Sequence, residues 1–270
     1  MNSQATCRLP DLVGTQAWTC AFTIASILFG VATAHSQEDS ARKILKGMAS
    51  YLAGQKTISA TFDADIEVIT PTLQKIQFTN SGGLTMNRPS QFRATRAGGY
   101  SDVELVFDGT TATILGRHNN TYAQIKAPGS IDQLIDRLRD EHGVTMPGAD
   151  LLLARVYDEL IGDATEIRHI GHGVIDGKDC DHLAFRGPEV DWQLWVEIGP
   201  NPIPRKYVIT SKAVTGAPQY TLRIKTWTTG APASPDAFAF NVPAGAKMVE
   251  IKQLADIDEV PAGVVAGDAK

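Results

Sequence analysis

The chain has 270 residues and a formal net charge of −5, with 43% hydrophobic and 20% charged residues. So much apolar sequence with so little net charge argues against general disorder, and three cysteines cannot staple a chain of this length. The mild acidity argues against nucleic acid as a partner, since that would call for a basic face.

Residues 1–34 read as an export leader. Arg8 precedes an apolar run from Ala21 to Val31, which ends in the small-x-small pattern Ala32-Thr33-Ala34. The run is short for a bilayer span, which takes about 20 apolar residues. Cleavage after Ala34 removes Cys7 and Cys20, leaving Cys180 as the one thiol. The expectation is a soluble periplasmic monomer that does not span the membrane once cleaved, with one domain over residues 35–252.

Ala41, Ile44, Leu45, Met48 and Leu52 recur at helical spacing and predict a helix over residues 38–54. From 57 to 68 the pattern changes to strict alternation. Ile58, Ala60, Phe62, Ala64, Ile66 and Val68 share one face of a strand, while Asp63, Asp65 and Glu67 lie on the other. A strand of that length suits a strongly curved sheet or barrel wall.

Further strands are expected over 73–86, 91–97, 102–107, 111–117 and 121–126. Asn80–Gly83, Gly98-Gly99, Asp108-Gly109 and Asn119-Asn120 punctuate them as turns. Ser130 caps a helix whose inward residues are Ile131, Leu134, Ile135 and Leu138, with Gly143 as its stop. Pro147 opens another helix, reaching Gly162, whose stripe from Leu151 to Ile161 is too wide for a surface helix and must be covered on several sides. Strands resume over 165–175, 178–186, 190–198, 204–211 and 218–228. Residues 253–270 read as a loose tail. No internal repeat is present.

The chemistry-bearing residues are few. A two-residue turn at Asp176-Gly177 would pair His172 with Asp181 and Gly173 with Cys180. His169, Cys180 and His182 would then share one face, and the geometry admits a metal-assisted hydrolase there. No helix-borne histidine pair or CxxC motif accompanies them, and a His172–Asp181 structural contact is preferred. Asp63, Asp65 and Glu67 read as the wet face of a strand rather than a catalytic set. With no nucleophile elbow, phosphate loop or dinucleotide fingerprint, no catalytic residue, metal or cofactor is assigned. A transmembrane barrel would turn its apolar residues outward, and three amphipathic helices argue against it.

Four stretches carry a family resemblance. Gly82–Arg93 (GGLTMNRPSQFR), Phe107–Thr111 (FDGTT), Leu151–Arg155 (LLLAR) and Asp236–Gly245 (DAFAFNVPAG) resemble the pattern of LolA-type lipoprotein carriers. Gly177–Phe185, Asp191–Glu197 and Pro204–Thr210 resemble an uncharacterised family of predicted periplasmic proteins grouped with the LolA/LolB-like fold.

The resemblance implies a mainly β fold, an open and strongly curved antiparallel half-barrel closed by a helical lid over an apolar cavity. It implies that Arg88 bonds lid carbonyls and latches the lid. The strand bearing Trp192 and Trp195 has no counterpart in the carriers, so binding of some amphiphile is expected rather than lipoprotein shuttling as such. The expected ligands are lipid acyl chains or a lipidated protein. Phe62, Ile66, Phe78, Phe92, Trp192 and Leu194 are expected to line the cavity from the sheet, with Leu152 and Leu153 from the lid. The alternative is an envelope-sensing module with a filled cavity, docking a protein partner through Trp195 or Trp227.

Overall fold

The structure is a computed structural model, and it describes residues 25–144, 146–231, 233–254, 260, 261 and 264. Helix α1 spans Ala25–Gly54. Six strands follow: β1 (Thr57–Ile69), β2 (Lys75–Asn87), β3 (Gln91–Gly98), β4 (Asp102–Phe107), β5 (Thr111–Gly116) and β6 (Thr121–Lys126). Helices α2 (Ile131–His142) and α3 (Val156–Gly162) separate these from β7 (Glu166–Ile175), β8 (Lys178–Arg186), β9 (Val190–Glu197), β10 (Pro204–Ser211) and β11 (Gln219–Thr229). A short β12 (Lys247–Met248) comes last.

All the strands join one sheet in the order β12-β6-β5-β4-β3-β2-β1-β11-β10-β9-β8-β7. Two meanders, β1–β6 and β7–β11, are welded where the long β1 pairs antiparallel with β11. Among the described residues, only the β12–β6 contact is parallel. The sheet is curved and open, because its end strands β12 and β7 do not meet.

Two apolar clusters fill the helix-facing side. Ala41, Leu45, Met48 and Leu52 of α1 pack on β7–β11 with Phe185, Trp192, Leu194 and Leu222. Ile131, Leu134, Ile135 and Leu138 of α2 pack on the first meander with Met86, Phe92, Phe107 and Ile114. Trp227 touches both clusters.

Helix α2 matches its sequence signals. Ser130 and Gln133 form a reciprocal capping box, and Gly143 closes the helix with φ of 65°.

Several expectations need correcting. The helix foreseen from Pro147 to Gly162 is broken: Ala149–Leu152 is a 3-10 turn, Leu153 is extended, and α3 begins only at Val156. Its wide apolar stripe is thus shared by two short elements that bury different sides. Asn80–Gly83 is no turn but the middle of β2. Gly82 sits opposite Phe62, and a Cβ there would stand 2.4 Å from the Phe62 ring and 2.3 Å from the Thr95 carbonyl. Its lack of a side chain makes room for an aromatic ring.

The expected leader lies outside the described residues up to residue 24, and cleavage after Ala34 would fall within α1. Most of the expected tail is likewise outside them. Leu254, near its start, is buried against the α2 cluster. Among the described residues, no helix is long and apolar enough to cross a membrane.

Candidate functional site

A cavity of about 160 Å³ lies between the sheet and the segment that links α2 to α3. Phe62, Leu84, Phe92, Leu105, Leu222 and Trp227 form much of its wall, and Met146, Leu151 and Leu152 form its roof. Thr95, Arg96 and Tyr220 are its polar members. Alternation explains most of the wall, since β1–β4 and β11 turn every second side chain toward the helices, and a bulge in the β1–β11 pair brings Trp227 to the side of Leu222.

The roof is held by polar ties as well as packing. Arg88 Nη2 donates to the Leu152 carbonyl at 2.7 Å, the kind of bond the carrier resemblance implied. Burial pulls the Arg88 guanidinium below its ordinary pKa, with Asp132 acting in the opposite sense. Asp132 in turn accepts from the Ala154 amide through both oxygens, at 3.2 and 3.0 Å. Tyr207 Oη of β10 donates to Asp150 at 2.7 Å. Desolvation raises the Asp150 pKa, and the Tyr207 bond only partly counters it. The β2–β3 turn, helix α2 and strand β10 therefore each hold the short stretch from Asp150 to Ala154.

Three of the expected wall and roof residues, Phe62, Phe92 and Leu152, are on the cavity surface. The others are elsewhere. Leu153 and Leu194 are wholly buried in the two packed clusters. Trp192 is stacked flat on Phe185, with ring centres 5.4 Å apart, and belongs to the α1 core. Alternation assigns the right face, but it cannot say which part of that face a helix covers. Ile66 pairs with Phe78 toward the far end of β1, and Phe78 meets Tyr100 edge-on at 5.3 Å, away from the cavity. Sequence reasoning missed Leu84, Leu105 and Leu222, whose only signal was their place in alternating strands.

The proposed docking tryptophans are also engaged. Trp195 is stacked on His182 at 4.1 Å, with Lys206 Nζ 4.7 Å from its ring centre, and Trp227 lines the cavity. Asp63 and Asp65 accept from Ser81 and Thr79 across the β1–β2 pair, at 2.6 and 2.8 Å. Glu67 pairs with Lys75 at 2.9 Å. The wet-face reading therefore describes all three carboxylates.

The face shared by His169, Cys180 and His182 does not form. The Asp176-Gly177 turn sets the foreseen register, with Gly171 opposite His182 and His172 opposite Asp181. A bulge between His169 and Gly171 then moves His169 opposite Leu183, which turns its ring to the other side. Cys180 is fully buried, and burial pushes its thiol pKa up. His182 bonds Gln193 at 2.9 Å. His169 Nε2 instead lies 3.1 Å from Asp181, beside the foreseen His172–Asp181 contact at 3.2 Å.

The family model for predicted periplasmic proteins (DUF2092) matches residues 41–252. The chain belongs to that family. The family's periplasmic location agrees with the leader expected from the sequence. No curated protein matches the chain. Among solved structures, it is similar to an uncharacterised conserved protein from Thermus thermophilus, at 12% identity and a TM-score of 0.48, covering 78% of this chain and 99% of that one. It is also similar to the Pseudomonas aeruginosa MucA/MucB complex structure, at 14% identity and 0.42, covering 75% and 61%. A third is the Mycobacterium tuberculosis lipoprotein LppX, at 13% and 0.38, covering 73% and 100%.

Proposed function

We propose that this periplasmic protein is a non-catalytic carrier or sensor that takes the apolar chain of an amphiphile, a lipid or a lipidated protein, into the cavity under the Met146–Leu152 roof. The observation that carries this reading is an apolar cavity whose roof is held by discrete polar ties, which can break and re-form without unpacking the core. Each methylene buried there contributes about 0.8 kcal/mol. The volume is near that of a cavity known to hold benzene, about 150 Å³. A longer chain therefore needs the roof displaced, and Arg88 is the latch that sets the cost. Export with cleavage after Ala34 would leave the packed part of α1, from Ala41 onward, intact.

Native mass spectrometry of protein purified from a periplasmic extract, with titration of a fluorescent fatty acid, tests the proposal. A co-purifying lipid and saturable probe uptake, lost when Ala94→Trp fills the cavity from its β3 wall, are the expected results. No lipid and no uptake would sink it.

A second reading, an envelope-sensing module, draws on the size of the cavity, which lies below the roughly 300–1,000 Å³ of ordinary ligand sites. Partner capture unchanged in Ala94→Trp would favour that reading.

A further inference from the structure

We infer that His169, His172 and Asp181 form a binding site for a divalent first-row transition-metal ion, separate from the apolar cavity. The three residues sit on the β7–β8 hairpin at the open edge of the sheet. Their ligand atoms all lie within 4.8 Å of one another. His169 Nε2 and His172 Nδ1 are 3.1 and 3.2 Å from the same oxygen of Asp181. Donor atoms around a tetrahedral zinc ion, at about 2.0–2.1 Å each, stand roughly 3.3 Å apart, so little movement is needed to admit the ion.

The backbone is shaped for this convergence. Residues three apart on a regular strand point to opposite faces. The bulge at Ile170, with Gly171 at φ of 137°, brings His169 to the side of His172 and Asp181.

A supporting partner is also present. Ser40 Oγ of α1 is 3.2 Å from His169 Nδ1. Accepting the Nδ1 proton would leave Nε2 as a lone-pair donor, the arrangement common behind metal-bound histidines. Without metal, a proton on Nε2 is shared with the Gly171 carbonyl at 3.0 Å and with Asp181. The ion would take the Nε2 position, with the one proton of the neutral ring then carried on Nδ1 and donated to Ser40 Oγ. His172 is 71% exposed, which leaves coordination positions open to water. Two imidazoles and one carboxylate suit zinc and its first-row neighbours rather than magnesium or calcium.

Calorimetry of zinc chloride into untagged, chelator-stripped full chain tests the site. One zinc per chain is expected, weakened at least about 10-fold by His172→Ala and by Ser40→Ala. Because His172 is exposed, that variant should keep its fold, which thermal melting checks. X-ray absorption should show a nitrogen and oxygen shell with two imidazoles and no sulfur. Absence of binding at millimolar zinc, undiminished binding in the His172→Ala/Asp181→Asn double variant, or a sulfur ligand would each overturn the inference. None of these outcomes bears on acyl-chain uptake, which the fatty-acid titration reads separately.

Discussion

Tyr207 and Asp150 join the cavity roof to the sheet: the phenol of β10 donates to the carboxylate of the 3-10 turn at 2.7 Å. The pair lies on the α1 side of the roof, where Leu151 and Tyr207 belong to the same core cluster. Arg88 holds the other side through the Leu152 carbonyl, next to the α2 cluster. The roof is thus pinned to both meanders, across the β1–β11 junction that welds them.

Because desolvation raises the Asp150 pKa, the folded chain holds this proton at pH values where the unfolded chain has released it. The sign follows from linkage. The carboxyl's contribution to stability is greatest below the ordinary carboxylate pKa, about 3.9, and falls as pH rises toward the raised native value. Asp150→Asn should remove that slope, so that urea denaturation at a series of pH values shows the variant gaining on the parent as pH increases. Tyr207→Phe should cost about 1–3 kcal/mol by stranding the carboxylate. Parallel pH curves for parent and Asp150→Asn would refute the assignment.

Arg88→Met keeps much of the side chain's bulk but loses the donor to Leu152. Hydrogen bonds from charged groups contribute about 1.5–3 kcal/mol, so roof opening should become correspondingly more frequent. Amide hydrogen exchange of residues 149–155 should accelerate while that of α2 does not. Faster uptake of a fluorescent fatty acid should accompany it. Unchanged exchange in the roof would show that packing alone holds it closed.

Gly82→Ala would place a methyl within 2.4 Å of the Phe62 ring and 2.3 Å of the Thr95 carbonyl oxygen. The ring must leave its place on the cavity wall, at a cost of about 1–3 kcal/mol. Gly99→Ala, with nothing within 4 Å, is the control and should be near neutral. Thermal melts of the two variants compare the positions directly, and equal losses would contradict the packing described.

The strand pattern was legible because alternation and turn residues are local signals: β4, β6, β8 and β10 run over the spans that sequence periodicity gives. The capped helix α2 was legible for the same reason. Position along a face was not. Trp192 and Phe92 both point to the helix side, yet α1 and its neighbours cover the first while the second reaches the cavity. That distinction depends on where helices land, which no strand encodes. The bulge at Ile170 escaped as well, since one inserted residue leaves the apolar pattern of an edge strand almost unchanged while reversing the face of His169. Gly171 was the available clue.

Asp132 and Ser130 separate the stability of α2 from the closure of the roof. Ser130 caps the helix by accepting from the Gln133 amide, and its loss in Ser130→Ala should cost about 0.5–2 kcal/mol. Asp132 lies in the same first turn, where a negative charge favours the helix dipole by about 0.3–1 kcal/mol. It also receives the Ala154 amide, a bond made to the roof and not to its own helix. Asp132→Ala should therefore destabilise the protein about as much as Ser130→Ala while uniquely speeding exchange at Ala154 and its neighbours. Hydrogen exchange on both variants reads the difference. If the two profiles coincide, the roof's hold on α2 is carried by the apolar contacts of Leu152 and Leu153 rather than by the carboxylate.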